Sequence, residues 1–275
     1  DLLELQKEKQ KIIKNLENQI KEIMNACLCS VFFIDESQRV TLSDIGSVAE
    51  IRKWAKELDS EVSELELLSQ FRCNGSNGYL AWLDDVLEIR ETANYDLKDI
   101  DYDIRILDTP NEVRDLIFEK NKIDNRSRML AGYCWEWIKA GKNDSTVHDI
   151  KIDDFEMSWN LGNSSTFAID ENSINEIGCI HTSQGLEFDY AGVIIGDDMR
   201  YEDGHIVTDF NKRARTDQSL KGIKKLYKQD PDKALKEADQ IIKNTYRTLM
   251  TRGMKGCYVY CTNKELADYL RERIK

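Results

Sequence analysis

Proline is nearly absent from this sequence: two occur in 275 residues, with no low-complexity stretch and no internal repeat. A Pro-rich spacer between domains is therefore excluded. No apolar run approaches the roughly 18 residues that a membrane helix needs. The opening residues, DLLELQKEKQKIIK, carry too much charge for a signal peptide. Three histidines lie far apart, and the seven cysteines include no C-x-x-C. That argues against a His/Cys metal cage and against a disulfide framework. An odd number of thiols suits a reducing compartment, so the cytoplasm is the expected location. There is no G-x-x-x-x-G-K-[ST] loop either. The pair Gly141-Lys142 is followed by Asn143 and has Glu136 where the first glycine belongs. Without that loop a chain lacks the usual backbone cradle for a triphosphate.

What the sequence does hold is length and apolar content for a core, 41% of its residues being hydrophobic, enough for one large or two modest domains. A net charge of −12 counts against a general nucleic-acid coat. The charge is unevenly spread. Residues 212–255 hold thirteen Lys/Arg against five Asp/Glu, a local +8 that leaves −20 on the remainder. Such a segment is either a face for phosphates or, over residues 221–243, a solvated lysine-rich helix.

Ile12, Leu16, Ile20, Ile23, Met24 and Cys27 recur at helical spacing, which predicts an amphipathic helix over residues 3–26. SVFFID (30–35) predicts a short apolar strand ending in acid. Helices are expected over 47–58 and 76–90, and strands over 65–71, 103–108, 128–134, 176–181, 191–197 and 256–261. Thr262 and Glu265 have the spacing of a capping box for a last helix. Apolar strands alternating with amphipathic helices predict an α/β fold with a mostly parallel sheet. Ligands of such sheets bind at the carboxyl ends of strands. The clusters Asp35-Glu36, His181 to Glu187 and Asp197-Asp198 are expected at those ends. The domain division is expected near 68–76, around QFRCNGSNG.

VFFIDESQRV (31–40) has the form of a Walker B strand, in which Asp35 would hold Mg²⁺ and Glu36 would polarise water. An acidic turn at a strand end looks the same. Gln38 lies three residues past the acid, where an amide can sense a γ-phosphate or hold a water. In QFRCNGS (70–76), Arg72 follows a strand and offers a fork that fits phosphate oxygens. NTYRTLMTRGMKGCYVYC (244–261) carries Tyr246, Arg247 and Arg252 ahead of a break at Gly253 and a strand. That placement suits an arginine finger, or a solvated basic face. CIHTSQGLEFDYAGVIIGDD (179–198) sets His181, Thr182, Ser183, Gln184 and Glu187 between two apolar runs. The aromatics of AGYCWEWIKAG (131–141), Tyr133, Trp135 and Trp137, suit base stacking or a core. GDDMRYEDGH (196–205) suits a metal site or a polar loop.

In this order the motifs resemble the C-terminal motifs of superfamily-one helicases of the UvrD type, and more closely the bacterial and phage Schlafen-like DNA/RNA helicase domains. QFRC is similar to helicase motif IV, IHTSQGLEFD to motif V and YRTLMTRGMKG to motif VI, and the resemblance spans residues 20–261. It implies a RecA-like P-loop NTPase architecture, with this chain as the C-terminal part of a two-lobe helicase core. Residues 1–70 would end the first lobe and 71–275 would form the second. Arg252, Arg72 and Gln38 are the implied catalytic residues, the two arginines reaching the γ-phosphate. Glu187 would hold the nucleotide ribose or its neighbourhood, and Gly185 would let the backbone approach. His181, Thr182, Ser183 and Gln184 would face a single nucleic-acid strand. Gln38 is read as the motif III glutamine, with Asp35 and Glu36 near the site. The Walker B reading of those two acids, as Mg²⁺ ligands, stays as the alternative.

The implied cofactors are ATP and Mg²⁺, both needing a P-loop part that these residues lack. The implied partners are single-stranded DNA or RNA and a missing N-terminal region of the same protein. The chain begins abruptly in a helix, so it reads as the C-terminal part of a longer protein and is expected not to turn over ATP by itself. An ATP-driven nucleic-acid motor is the implied function. A nucleotide-gated switch or scaffold that binds ATP without translocating is the second reading, favoured by the −20 outside the basic segment. A metal nuclease using Asp35, Glu36, Asp197 and Asp198 is the third, and no local spacing joins those acids.

Overall fold

A computed structural model describes residues 18–44, 46–66, 73, 76–98, 100–138, 144–161 and 166–275. They divide into two compact units: residues up to Ser37 with Asp44–Leu68, and Gln38–Ser43 with Ser69–Lys275. No helix among the described residues is long and apolar enough to cross a membrane.

In the first unit, α1 (Gln19–Ala26) starts at Asn18, whose side chain accepts from the amides of Ile20 and Lys21. α2 (Val48–Glu57) starts at Ser47, which caps the Glu50 amide. The Glu50 carboxylate accepts from the Asn18 side chain at 2.5 Å and from the Gly46 amide at 3.0 Å, so one acid joins the two helix starts. The helix expected over 3–26 is described only from its Asn18 cap onward. The strand expected over 30–35 does not form: those residues are irregular, and Val31 and Phe33 are exposed. A strand exists only through pairing with a neighbour, and among the described residues every strand belongs to the second unit. Of the strand expected over 65–71, Leu65 and Glu66 are irregular and the rest lies outside the described residues.

The strands of the second unit, in chain order, are β1 (Asp103–Ile106), β2 (Ser127–Ala131), β3 (Ile150–Ile152), β4 (Phe155–Trp159), β5 (Glu176–Gly178), β6 (Phe188–Ile195), β7 (Met199–Glu202), β8 (His205–Thr208) and β9 (Gly253–Cys261). Seven form one sheet in the order β1-β9-β6-β2-β5-β4-β3, and β7-β8 is a separate hairpin. All pairings in the large sheet are parallel except β3 with β4. The fold is α/β with a mostly parallel sheet, an arrangement compatible with a RecA-like lobe. The connecting helices are α3 (Asn77–Val86), α4 (Pro110–Asp124), α5 (Ile180–Ser183), α6 (Ile223–Gln229), α7 (Pro231–Met250) and α8 (Lys264–Ile274).

Strand alternation sorts the side chains into two cores. Along β9, Cys257, Val259 and Cys261 join the core that holds Leu83 of α3, Leu249 of α7 and Leu270 of α8. Tyr258 turns to the other core, with Val113 and Ile117 of α4. Two boundaries differ from expectation. β5 stops at Gly178, and the residues expected to prolong it coil into α5. The last helix is capped by Asn263, which accepts from Leu266, while Thr262 donates to Asp197 at 2.7 Å. Gln38–Ser43 is a strap on this unit: Val40 is buried in the first core, Arg39 pairs with Glu237 at 2.7 Å, and the Leu42 amide donates to the Ser219 carbonyl.

Candidate functional site

Parallel pairing of β6 with β9 sets Phe188 opposite Gly253, so the loop before β6 meets the turn before β9. Two bonds stitch them together. The Phe188 amide donates to the Arg252 carbonyl at 2.9 Å, and Arg252 Nη1 donates to the Leu186 carbonyl at 3.1 Å. At the start of β6, between Phe188 and Tyr190, the register shifts by one extra residue on β9, a bulge spanning Gly253 to Gly256. Glycine is required there, because a Cβ on Gly253 would overlap the Gly256 carbonyl oxygen. Gly185, at the crest of the opposing loop, has φ +84° with open space around its Cβ position. Left-handed backbone of this kind favours glycine.

His181, Gln184 and Glu187 are exposed around that loop. Thr182 is half-buried and donates to Asn160 Oδ1 at 2.6 Å, which ties α5 to the end of β4. Ser183, expected to face a strand, is instead buried, and its hydroxyl donates within α5 to the Ile180 carbonyl. A one-turn helix can expose only part of its circumference, and Ser183 lies on the side facing the core. Arg252 is 1% exposed, held under the Leu186 carbonyl rather than projecting as a finger. Arg247 is spent on Asp84 of α3, a carboxylate it shares with Arg90. Arg72 lies outside the described residues. Gln38 opens the strap and is half-buried. Asp35 and Glu36 belong to the first unit, where Asp35 accepts from Ser37 and Glu36 from the Val48 amide. Among the described residues, no group of three or more His, Cys, Asp or Glu side chains could hold a metal ion.

Of the clusters expected at carboxyl strand ends, His181 follows the end of β5 and Asp197-Asp198 the end of β6, but the rest of the His181 to Glu187 cluster is displaced. Asp197 and Asp198 follow the carboxyl end of β6, whereas Gln184 to Glu187 and Arg252 lie at its amino end. Eight strand residues separate the two, roughly 25 Å. The cause is α5, which carries the chain from the carboxyl end of β5 back to the start of β6. Asp198 does not line a cleft. It is fully buried, accepting from the Tyr246 hydroxyl and facing Arg213 at 3.4 Å.

A family model described as Schlafen group 3, DNA/RNA helicase domain, matches residues 2–263. The chain belongs to this family. It is also 26% identical over 276 residues to the Saccharomyces cerevisiae protein named Uncharacterized protein YPL245W, an overlap of 92% of this chain and 59% of that protein. The chain thus spans under two thirds of that relative's length. No solved structure matches it.

In this Schlafen group 3 helicase domain, sequence reasoning missed one set of residues. It is a buried polar network behind β6. Arg213 forms an ion pair with Asp217 at 2.7 Å and donates to Ser219 at 3.2 Å, and the Gly196 amide donates to the Tyr246 hydroxyl at 3.0 Å. Burial alone would lower the Arg213 pKa, but the Asp217 and Asp198 carboxylates override it and raise it. Burial raises the Asp198 carboxyl, with the Arg213 charge opposing. The basic segment expected from the sequence forms a lysine surface on α6, the residues just before it and the start of α7: Lys221, Lys224, Lys225, Lys228, Lys233 and Lys236 are all exposed. Three of the four neighbouring acids are occupied, since Asp230 caps α7, Glu237 pairs with Arg39 and Asp239 with Lys243; Asp232 is exposed in the first turn of α7. Tyr133 is core, its ring tilted against Trp159 with centroids 5.2 Å apart, and Trp135 and Trp137 pack beside it. That favours the core reading of these aromatics.

Proposed function

We propose that this chain is the C-terminal part of an ATP-dependent nucleic-acid motor of the superfamily-one type. Residues 71–275 would form the second RecA-like lobe and residues 1–70 the end of the first. The observation that carries this reading is the pair of bonds joining the Gln184–Glu187 loop to the Arg252 turn. A loop that meets the strand and a turn that meets the nucleotide would then move as one body. Lobe closure on ATP would shift that loop along the strand.

On this reading Arg252, Arg72 and Gln38 serve the γ-phosphate, and Glu187 and Gly185 the nucleoside side. His181, Thr182 and Gln184 meet single-stranded DNA or RNA. Arg252 reaches a phosphate only if its bond to Leu186 opens, and the Phe188–Arg252 backbone bond would then keep the turn coupled to the loop. Gly185 fits a close-approach role, since nothing crowds it. Only on the alternative Walker B reading would Asp35 and Glu36 serve as Mg²⁺ ligands, Mg²⁺ held mainly by phosphates taking one or two carboxylates. The P-loop would come from elsewhere in the full-length protein, and this chain by itself is expected not to turn over ATP. All seven cysteines are free thiols, which supports a reducing, cytoplasmic location. The −20 outside the basic segment favours a second reading, a nucleotide-gated switch or scaffold.

The test is ATP turnover by the full-length protein, with and without single-stranded DNA or RNA, beside Arg252→Ala and Arg252→Lys. Stimulation by a strand, lost in both variants while they stay folded, is the expected result. A flat, strand-independent rate that the variants leave unchanged would sink the motor in favour of the switch.

A further inference from the structure

The last carbonyls of a helix have no partner within it and must find one elsewhere. At the end of α7 the chain makes a non-helical turn through Thr251 and Arg252 without a left-handed glycine cap. Four successive carbonyls, Met250 to Gly253, are nevertheless each supplied with a donor. The Tyr79 hydroxyl donates to Met250 at 3.0 Å, Cys73 Sγ to Thr251 at 3.7 Å, the Phe188 amide to Arg252 at 2.9 Å and the Tyr102 hydroxyl to Gly253 at 2.9 Å. Three of the four donors are side chains from outside α7 and β9. All three are buried, and the Tyr79 and Tyr102 rings lie 4.0 Å apart at the centroids. Burial raises both phenol pKa values, so both remain donors across the physiological range.

We infer that Cys73, Tyr79 and Tyr102 form a clamp that fixes the backbone of the Arg252 turn, and that they are positioning residues for Arg252. The functional half of this inference rests on the reading of Arg252 given above; the clamp itself does not. The clamp grips one side of the turn, and the loop before β6 grips the other through Phe188 and Leu186. Moving the clamp therefore moves both the arginine and the loop. Cys73 directly follows Arg72 in the chain. The clamp thus gives a change at the motif IV segment a direct mechanical route to motif VI. Asp84 of the same α3 adds a brace through Arg247, one turn of α7 earlier.

Phenylalanine keeps the ring and removes only the hydroxyl, so Tyr79→Phe, Tyr102→Phe and the double variant isolate the bonds. They would be made in the full-length protein and compared by amide exchange and by ATP turnover. Exchange of the Phe188 and Arg252 amides is expected to quicken about tenfold while β2 is unaffected. The kcat is expected to fall about tenfold with KM for ATP held within about twofold, and to fall no further when Arg252→Lys is already present. Unchanged exchange in both single variants overturns the clamp. Effects that multiply independently with Arg252→Lys overturn positioning and leave a merely structural role. If exchange quickens but Arg252→Lys has no effect on turnover, the clamp stands and the nucleotide role of Arg252 fails. Should the tyrosine variants fail to fold, Cys73→Ser and Cys73→Ala decide the matter. The serine keeps a donor and should match the parent, and the alanine should not; equal behaviour of the two counts against the clamp.

Discussion

Arg128 shows how much a single side chain holds. It is fully buried on β2, and its guanidinium donates to the carbonyls of Phe167, Ser127 and Asp170 and to the side chains of Ser173, Asn121 and Asn125. No carboxylate among the described residues forms an ion pair with it, and burial pulls its pKa down to about 10. A lysine cannot reproduce that planar fork. Arg128→Lys is expected to cost about 2–4 kcal/mol, because several buried acceptors lose their donors. Denaturant unfolding measures it, and a loss within error of zero would show that the acceptors find other partners. Tyr246 is the second such case, donating to Asp198 and accepting from Gly196. Tyr246→Phe should cost about 1–3 kcal/mol, since it leaves a buried carboxylate short of one donor.

At the scale of elements, the glycines of the site separate two costs. Gly185→Ala strains only the backbone, because its Cβ would meet open space at φ +84°. The expected loss is about 1 kcal/mol with the fold intact. Gly253→Ala strikes the Gly256 carbonyl and disrupts the start of the β6-β9 pairing, so no stable folded protein is expected. Soluble expression and circular dichroism distinguish the two. In the first unit, Glu50 joins α1 to α2, and its pKa is lowered chiefly by the Gly46 amide, with burial opposing. A carboxyl depressed in the folded state stabilises above its unfolded pKa of about 4.5 and loses that contribution as pH falls through the folded value. Glu50→Gln should therefore flatten the acid-side loss of structure around Trp54, followed by its fluorescence between about pH 6 and 3. An unaltered acid transition would mean that another carboxyl controls it.

For the whole molecule, charge distribution rather than net charge decides what can dock. The chain carries −12, yet six exposed lysines from Lys221 to Lys236 make no ion pair among the described residues. A polyanion that bound there would release counterions on neutralisation. Reversing Lys224, Lys225 and Lys228 to glutamate should weaken single-strand binding. The slope of log affinity against log salt should become shallower by about 2–3. The same affinity and slope in the variant would identify the surface as a solvated helix.

Much of this architecture could be read along the chain, because strand and helix periodicities are local properties. The apolar runs at 103–108, 128–134, 191–197 and 256–261 became strands, and 47–58 and 76–90 became helices, because each carries its own pattern. Some local signals were present but passed over. Asp203-Gly204, both at positive φ, turns the β7-β8 hairpin. Thr109, Pro110 and Glu112 begin α4 with a capping box. Other features could be decided only by tertiary structure. SVFFID has strand composition, but a strand needs an adjacent backbone and the first unit describes none. The motifs around His181 and Arg252 could be recognised by residue type. That they meet at the amino end of β6, with Ser183 and Arg252 buried and Asp198 some eight residues away, follows from the crossover of α5 and the register of β6 on β9. The clamp of Cys73, Tyr79 and Tyr102 is least legible of all. Its partners are backbone carbonyls more than 140 residues downstream, and a carbonyl carries no sequence signature.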